Sequence, residues 1–264
     1  MIRPHEILKR IREEKPLIHH ITNNVTIYDC AGITRAFGAL PVMAPAIEES
    51  GEMASVSSAL VLNIGTLTPR LVESMLAAGR NANKKGIPVI LDAVGAGATK
   101  LRTESTLELM KKLRIAVLKG NAGEIAAIAG AKSEVRGVES MGVAGDIRNI
   151  AKNLALKTGS VVAVTGREDI VTDGRKTYLV DNGHSLMGEV VGTGCMAGSA
   201  IGAFCSVEKK YAKAAASALA CFGIAGELAA AKARGPGSFR SLLHDEVYRL
   251  NEKKTSSKMR VREF

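Results

Sequence analysis

Short apolar runs alternate along the chain with longer stretches in which apolar positions recur every three or four residues. LVLNIG (60–65), PVILDAVG (88–95), IAVLKGN (115–121) and SVVAVTG (160–166) are nearly continuous apolar segments that end in Gly, Asn or Asp. That pattern predicts strands covered on both faces of a parallel sheet. Between them, 68–85 places Leu71, Met75, Leu76 and Ala82 on one helical face, and 137–158 does the same with Ile147, Ile150, Ala151 and Leu154. Strand–helix alternation predicts an α/β layered fold, with helices on a mostly parallel central sheet.

Two stretches depart from the alternation. DIVTDGRKTYLV (169–180) carries Asp173-Gly174 between two β-prone runs, which predicts an antiparallel hairpin at the sheet edge. From about residue 194 the pattern is helical almost to the end, in segments 195–208, 211–233 and 238–254, the last two separated by Gly235-Pro236-Gly237. No repeat, linker or composition break divides residues 1–264, so a single domain is expected.

Composition narrows the classes. Aromatic residues are 3% of the chain and Trp is absent, so the core must come from Ala, Val, Ile, Leu and Met. The same scarcity removes the stacking platforms of single-strand nucleic-acid binders. The net charge is +10, but Lys and Arg are spread out, without the clustered patch that marks a nucleic-acid interface. Only the tail, 251–262, is locally dense in positive charge, and it is expected to be solvated. No apolar run approaches the length that spans a bilayer, and the N-terminus lacks an apolar signal core. Cys30, Cys195, Cys205 and Cys221 have no metal-site spacing and are expected to be free thiols in a reducing cytoplasm.

Open α/β sheets bind ligands beyond the carboxyl ends of their strands. The run-closing residues Asn63, Gly65, Asp92, Gly95, Lys119, Asn121, Thr165 and Gly166 are therefore expected on one rim, as ligand contacts or as ordinary turn and cap residues. EVVGTGCMAGSAIGAF (189–204) sets Gly192, Thr193 and Gly194 before an apolar helix with Cys195 in its first turn. Free amides at a helix start attract negative charge, and this turn is a candidate anion hole for a phosphoryl group in transfer. Its spacing is neither that of a P-loop nor that of a dinucleotide-binding fingerprint. A thiol at a helix N-terminus has a lowered pKa, so Cys195 is a candidate base for a substrate hydroxyl, with an ordinary buried Cys as the alternative. Asp92 and Glu124 are carboxylates suited to Mg2+ through water, while NAGE (121–124) also reads as a capping box. In IHHITNNVT (18–26) the adjacent His19 and His20 point to opposite strand faces, which disfavours joint metal ligation, whereas Thr22 and Asn23 suit a heterocycle. Met43, in PVMAPAIEE (41–49), is an adaptable pocket wall.

Together PLIHHITNNVT, GALPVMAPAIEE, LVLNIGTL, PVILDAVGAGAT, VLKGNAGEIAAIAG, VAVTGREDIVTDG and VVGTGCMAGSAIGAF resemble the hydroxyethylthiazole kinases of the ribokinase-like superfamily, in family order over residues 16–204. The resemblance implies a ribokinase-like fold and ATP- and Mg2+-dependent phosphorylation of a thiazole alcohol in thiamine biosynthesis. It implies an anion hole at Gly192 and Gly194, Cys195 in place of the usual aspartate base, and substrate contacts from Asn23, Met43 and Gly192. It assigns Lys119 and Thr165 to ATP, Asp92 and Glu124 to magnesium, and a ring of three subunits with sites at the interfaces. Lys119 stands where many relatives carry Arg, and Ala93 where the family has Pro. A related vitamin-alcohol kinase of the hydroxymethylpyrimidine or pyridoxal type, a hydro-lyase of the same fold, and a non-enzymatic nucleotide- or RNA-binding protein are the competing readings.

Overall fold

A computed structural model describes residues 2–130 and 147–264. The amphipathic helix α1 (Pro4–Glu14) leads into β1 (Leu17–Ile21), α2 (Ile27–Phe37), β2 (Leu40–Met43) and α3 (Ile47–Val56). Then come β3 (Ala59–Asn63), α4 (Pro69–Lys85), β4 (Val89–Asp92), α5 (Lys100–Lys112), β5 (Val117–Asn121) and α6 (Ala122–Ile128). α7 (Ile147–Thr158) precedes β6 (Val161–Thr165), β7 (Asp169–Thr172) and β8 (Thr177–Val180). The chain closes with α8 (Thr193–Val207), α9 (Tyr211–Ala230), α10 (Pro236–Tyr248), α11 (Glu252–Lys258) and β9 (Val261–Glu263).

The nine strands form one sheet in the order β2-β1-β3-β4-β5-β6-β7-β8-β9. β2 through β6 are parallel, and β7, β8 and β9 add antiparallel at one edge. Alternate side chains feed two cores. Ile18, Val61, Ile90 and Val117 meet α8 and α9 on one face. Leu60, Leu62, Leu91 and Leu118 meet α4, α5, α6 and α7 on the other. All four apolar runs are strands, and the hairpin forms with a loop of residues 173–176 in which Gly174 has φ 88°. The expected helix at 137–158 is present from Ile147; its first ten positions lie outside the described residues.

As expected, the C-terminal region is helical almost to the end: α10 stops at Tyr248, Asn251 caps α11 by accepting from the Lys254 amide, and only the last residues return to the sheet, as β9. Two expectations need correction. The basic tail is not merely solvated. Lys254 pairs with the buried Glu246 at 3.0 Å, Arg260 with Glu227 at 2.8 Å, and Arg262 with Glu168. Finally, α9 is long and apolar enough, by length and composition, to cross a membrane, but 83% of its apolar window is buried inside this fold, as a core helix's would be.

Candidate active site

Parallel register brings the strand ends level. Asn63 lies opposite Asp92, Asp92 opposite Lys119, and Asn121 opposite Thr165. The segment that crosses above them is the start of α8. Gly192 caps that helix with φ 95°, a left-handed conformation that L side chains rarely adopt, and a Cβ there would lie 2.6 Å from the Thr26 methyl. Thr193 turns its hydroxyl to the Met187 carbonyl at 2.6 Å, which fixes the turn. The first helical turn has no acidic side chain and no side-chain cap. Among the described residues nothing accepts from the backbone N–H groups of Gly194 and Cys195. These are the orphan donors of a helix start.

A hydrogen-bonded chain runs beneath them. Asn23 Nδ2 donates to Cys195 Sγ at 3.3 Å and to Asn63 Oδ1 at 3.0 Å. Asn63 Nδ2 donates to Asp92 Oδ2 at 2.9 Å, and Lys119 Nζ donates to Asp92 Oδ1 at 2.9 Å. The Asn23 amide cannot be reversed, because its oxygen accepts from the Val25 and Thr26 amides and the Thr26 hydroxyl. Asp92 and Lys119 are both buried. Burial pushes the Asp92 carboxyl up, to about 6, against the opposing pull of Lys119. Burial alone would depress Lys119, but the charges of Asp92 and Glu124 outweigh it and hold the ammonium above its ordinary value. At neutral pH the pair is therefore ionic, a buried arrangement that depends on both partners.

α8 sits low over this pair because one face of it is glycine. A Cβ at Gly194 would lie 3.4 Å from Lys119 Nζ, one at Gly198 3.3 Å from Asp92 Oδ2, and one at Gly202 2.5 Å from a Val61 methyl.

Glu124 does two jobs in one loop. It completes the capping box with Asn121, and its carboxylate accepts from the Asn121 and Gly95 amides, both at 2.7 Å. Asp92 at the end of β4 and Glu124 in the first turn of α6, just past β5, are thus each already oriented. Among the described residues no three His, Cys, Asp or Glu side chains cluster to hold a metal alone. Mg2+ does not require one, since it keeps waters and takes one or two carboxylates plus phosphate oxygens. His19 bonds the Ala44 carbonyl through Nε2 and His20 the Ile18 carbonyl through Nδ1, so each imidazole is committed to backbone. Met43 ends the edge strand β2 opposite His20, and joins the group only through that strand pairing.

A cavity of about 730 Å3 opens beside the α8 start. Thr165, Gly166, Thr193 and Gly194 line one side; Asn182, Met187, Leu219 and Phe222 line the rest. Asp169 also faces it, accepting from the Gly166 amide at 3.0 Å, and burial pushes its carboxyl up to about 7. Of the expected site residues, Asn23, Asp92, Lys119, Gly192, Gly194 and Cys195 come together, and Asn121, Glu124 and Thr165 adjoin them. Sequence reasoning had Asn63 only as a strand-end candidate, and missed its part as the bridge between Asn23 and Asp92. It missed Asp169 altogether.

The sequence profile of the hydroxyethylthiazole kinase family matches residues 8–253. The chain belongs to that family. A hydroxyethylthiazole kinase of Methanosarcina mazei is 56% identical over 257 residues, 97% of this chain and 98% of the relative. The solved structure of a hydroxyethylthiazole kinase protein from Pyrococcus horikoshii is 45% identical, with a TM-score of 0.92 over 99% of this chain and 98% of that one. A ribokinase-like superfamily protein from Enterococcus faecalis shares the fold alone, at 12% identity and a TM-score of 0.65 over 94% and 95% of the two chains. The chain is thus a kinase with a ribokinase-like α/β fold, in which the sheet is mostly parallel and antiparallel at one edge.

Proposed function

We propose that this kinase transfers the γ-phosphoryl group of ATP to the primary hydroxyl of 4-methyl-5-(2-hydroxyethyl)thiazole, a step of thiamine biosynthesis or salvage. The observation that carries the reading is the pair of amides at Gly194 and Cys195, without an acceptor among the described residues, beside the Cys195 thiol and next to the cavity that Gly194 lines. Phosphoryl transfer needs positioning and stabilisation of charge on the moving group more than it needs covalent chemistry. The amides and the positive end of α8 receive the γ-phosphoryl oxygens. The substrate oxygen attacks phosphorus in line, its proton passes to Cys195 Sγ, and the bond to the bridging oxygen breaks to release ADP. Asn23 Nδ2, which can only donate, holds the sulfur in place at 3.3 Å.

The triphosphate extends into the cavity along Thr165, with Lys119 and Asn121 at its edge. The thiazole takes the opposite side of Cys195, against Asn23, Gly192 and Met43. Mg2+, when bound, neutralises charge on the phosphate oxygens; Asp92 and Glu124 would hold it through water. Three exposed apolar side chains, Val25, Tyr28 and Val191, surround the thiazole side. A second copy of the chain covering them completes the pocket, which supports a homotrimer with sites between subunits. Four unpaired cysteines suit a reducing cytoplasm.

The purified protein incubated with the thiazole alcohol, Mg2+ and ATP is expected to yield one phosphate ester and one ADP per turnover, read by mass spectrometry. ATP hydrolysis without the ester, or faster esterification of pyridoxal or hydroxymethylpyrimidine, would refute the assignment.

A further inference from the structure

The outer wall of the cavity is residues 181–188, between β8 and α8. Two other parts of the molecule hold it in place. α9 receives it on bare backbone: a Cβ at Gly223 would lie 2.4 Å from the Asn182 carbonyl oxygen, and one at Gly226 2.5 Å from Met187 Sδ. The C-terminal segment clasps it from outside. Asn182 Oδ1 accepts from the Arg260 amide at 2.8 Å, and Asn182 Nδ2 donates to the Lys258 carbonyl at 2.9 Å. The Arg260 guanidinium donates to the Asp181 carbonyl at 2.6 Å and to Glu227 at 2.8 Å. Glu227 in turn accepts from the Gly183 amide and from Asn182, each at 3.0 Å. Three consecutive wall residues are thereby tied to one arginine–glutamate pair, and Arg260 itself lines the cavity.

An isolated surface ion pair contributes little. This one differs because its bonds converge on the backbone of a loop whose position sets the width of a binding site. We propose that the C-terminal segment from Lys258 onward is a working part of the nucleotide site, with Arg260 as the residue that positions its wall. Met187 on the wall, with Leu219 and Phe222 on α9, supplies the apolar surface that the planar base of a nucleoside triphosphate needs. This rests on the cavity being the ATP site.

The test compares wild type, Arg260→Ala and Arg260→Lys in the full chain, with Lys253→Ala as a control on the exposed side of the tail. ATP and the thiazole alcohol are varied in turn, and binding of Mg-ATP alone is followed by calorimetry. Arg260→Ala is expected to raise KM and Kd for ATP by about tenfold, with kcat and the thiazole KM within about twofold of wild type. Arg260→Lys should fall between, because an ammonium keeps the charge but cannot fork to both Asp181 and Glu227. If Arg260→Ala fails to fold, Arg260→Lys decides by the same split. An ATP KM within about twofold of wild type, or both KM values and Tm moving together, overturns the proposal. Wild type that binds no nucleotide would remove the reading of the cavity itself and this inference with it; wild type and variant that bind equally would remove only the inference.

Discussion

Cys195 has its thiol beside an amide that can only donate to it, over a helix start whose N–H groups are free. In the proposed mechanism its share of catalysis is the proton, while the amides stabilise the transferring group. General-base assistance is worth about 100- to 10,000-fold where it operates. Cys195→Ala is expected to lower kcat by at least about tenfold without abolishing turnover, and Cys195→Asp to stay active, since a carboxylate can take the same proton. A fully active Cys195→Ala enzyme in a steady-state assay would exclude the thiol from the mechanism. Asp169 gives a prediction in pH. Its carboxyl, raised by burial to about 7, binds its proton more tightly folded than unfolded. Stability from this group is present below pH ~4, the unfolded value, and is lost as pH rises through about 7. Asp169→Asn keeps the acceptor for the Gly166 amide and removes the charge. Its Tm should exceed that of wild type at pH 8 and match it near pH 4, a gain of about 1–3 kcal/mol after allowance for the open cavity.

At the scale of elements, α8 matters most. Alanine normally favours a helix over glycine by about 1 kcal/mol. At Gly202 the new methyl would sit 2.5 Å from a Val61 methyl, so either the helix or the strand must shift. Overpacking of that kind costs about 1–3 kcal/mol, which outweighs the propensity gain. Gly202→Ala is expected to lower Tm in a thermal melt and, by tilting the helix start, to lower kcat as well.

The apolar runs that became β3, β4, β5 and β6 were plain in the sequence because strands buried on both faces need no polar alternation. The glycine turn before Cys195 was legible for a similar reason, since few structures other than a close backbone approach use that composition. β9 was not legible. Its three residues, Val261-Arg262-Glu263, carry one apolar side chain, and only pairing with β8 makes them a strand. The Asn23–Asn63–Asp92–Lys119 chain was hidden too: its members come from four strands or strand ends, and only the β1-β3-β4-β5 order sets them side by side. Glu124 could be read from NAGE as a cap, but its second bond, to Gly95, depends on two strand ends meeting.

For the molecule as a whole, three exposed apolar side chains bear on assembly. Tyr28 is 79% exposed, Val191 73% and Val25 66%, in the segments that carry Asn23 and Gly192. Exposed apolar side chains beside a candidate site suit an interface. Sedimentation should give a particle of about three times the 27.8 kDa chain mass. Tyr28→Glu should yield monomers whose kcat/KM for the thiazole is reduced by about tenfold or more. Monomeric wild type with full activity would dispose of the shared site.

The glycine face of α8 has a wider implication. Gly194 lies over Lys119, Gly198 over Asp92 and Gly202 over Val61, so a single ridge without side chains spans the distance from the reacting centre to the hydrophobic interior. The helix behaves like a stiff beam resting on three shims of zero thickness. Thickening the innermost, at Gly202, leaves no room for the new methyl and shifts the beam, so a mutation that looks like a packing change deep inside the protein should be felt at the helix start, and the reaction rate becomes a gauge of how well the interior is assembled.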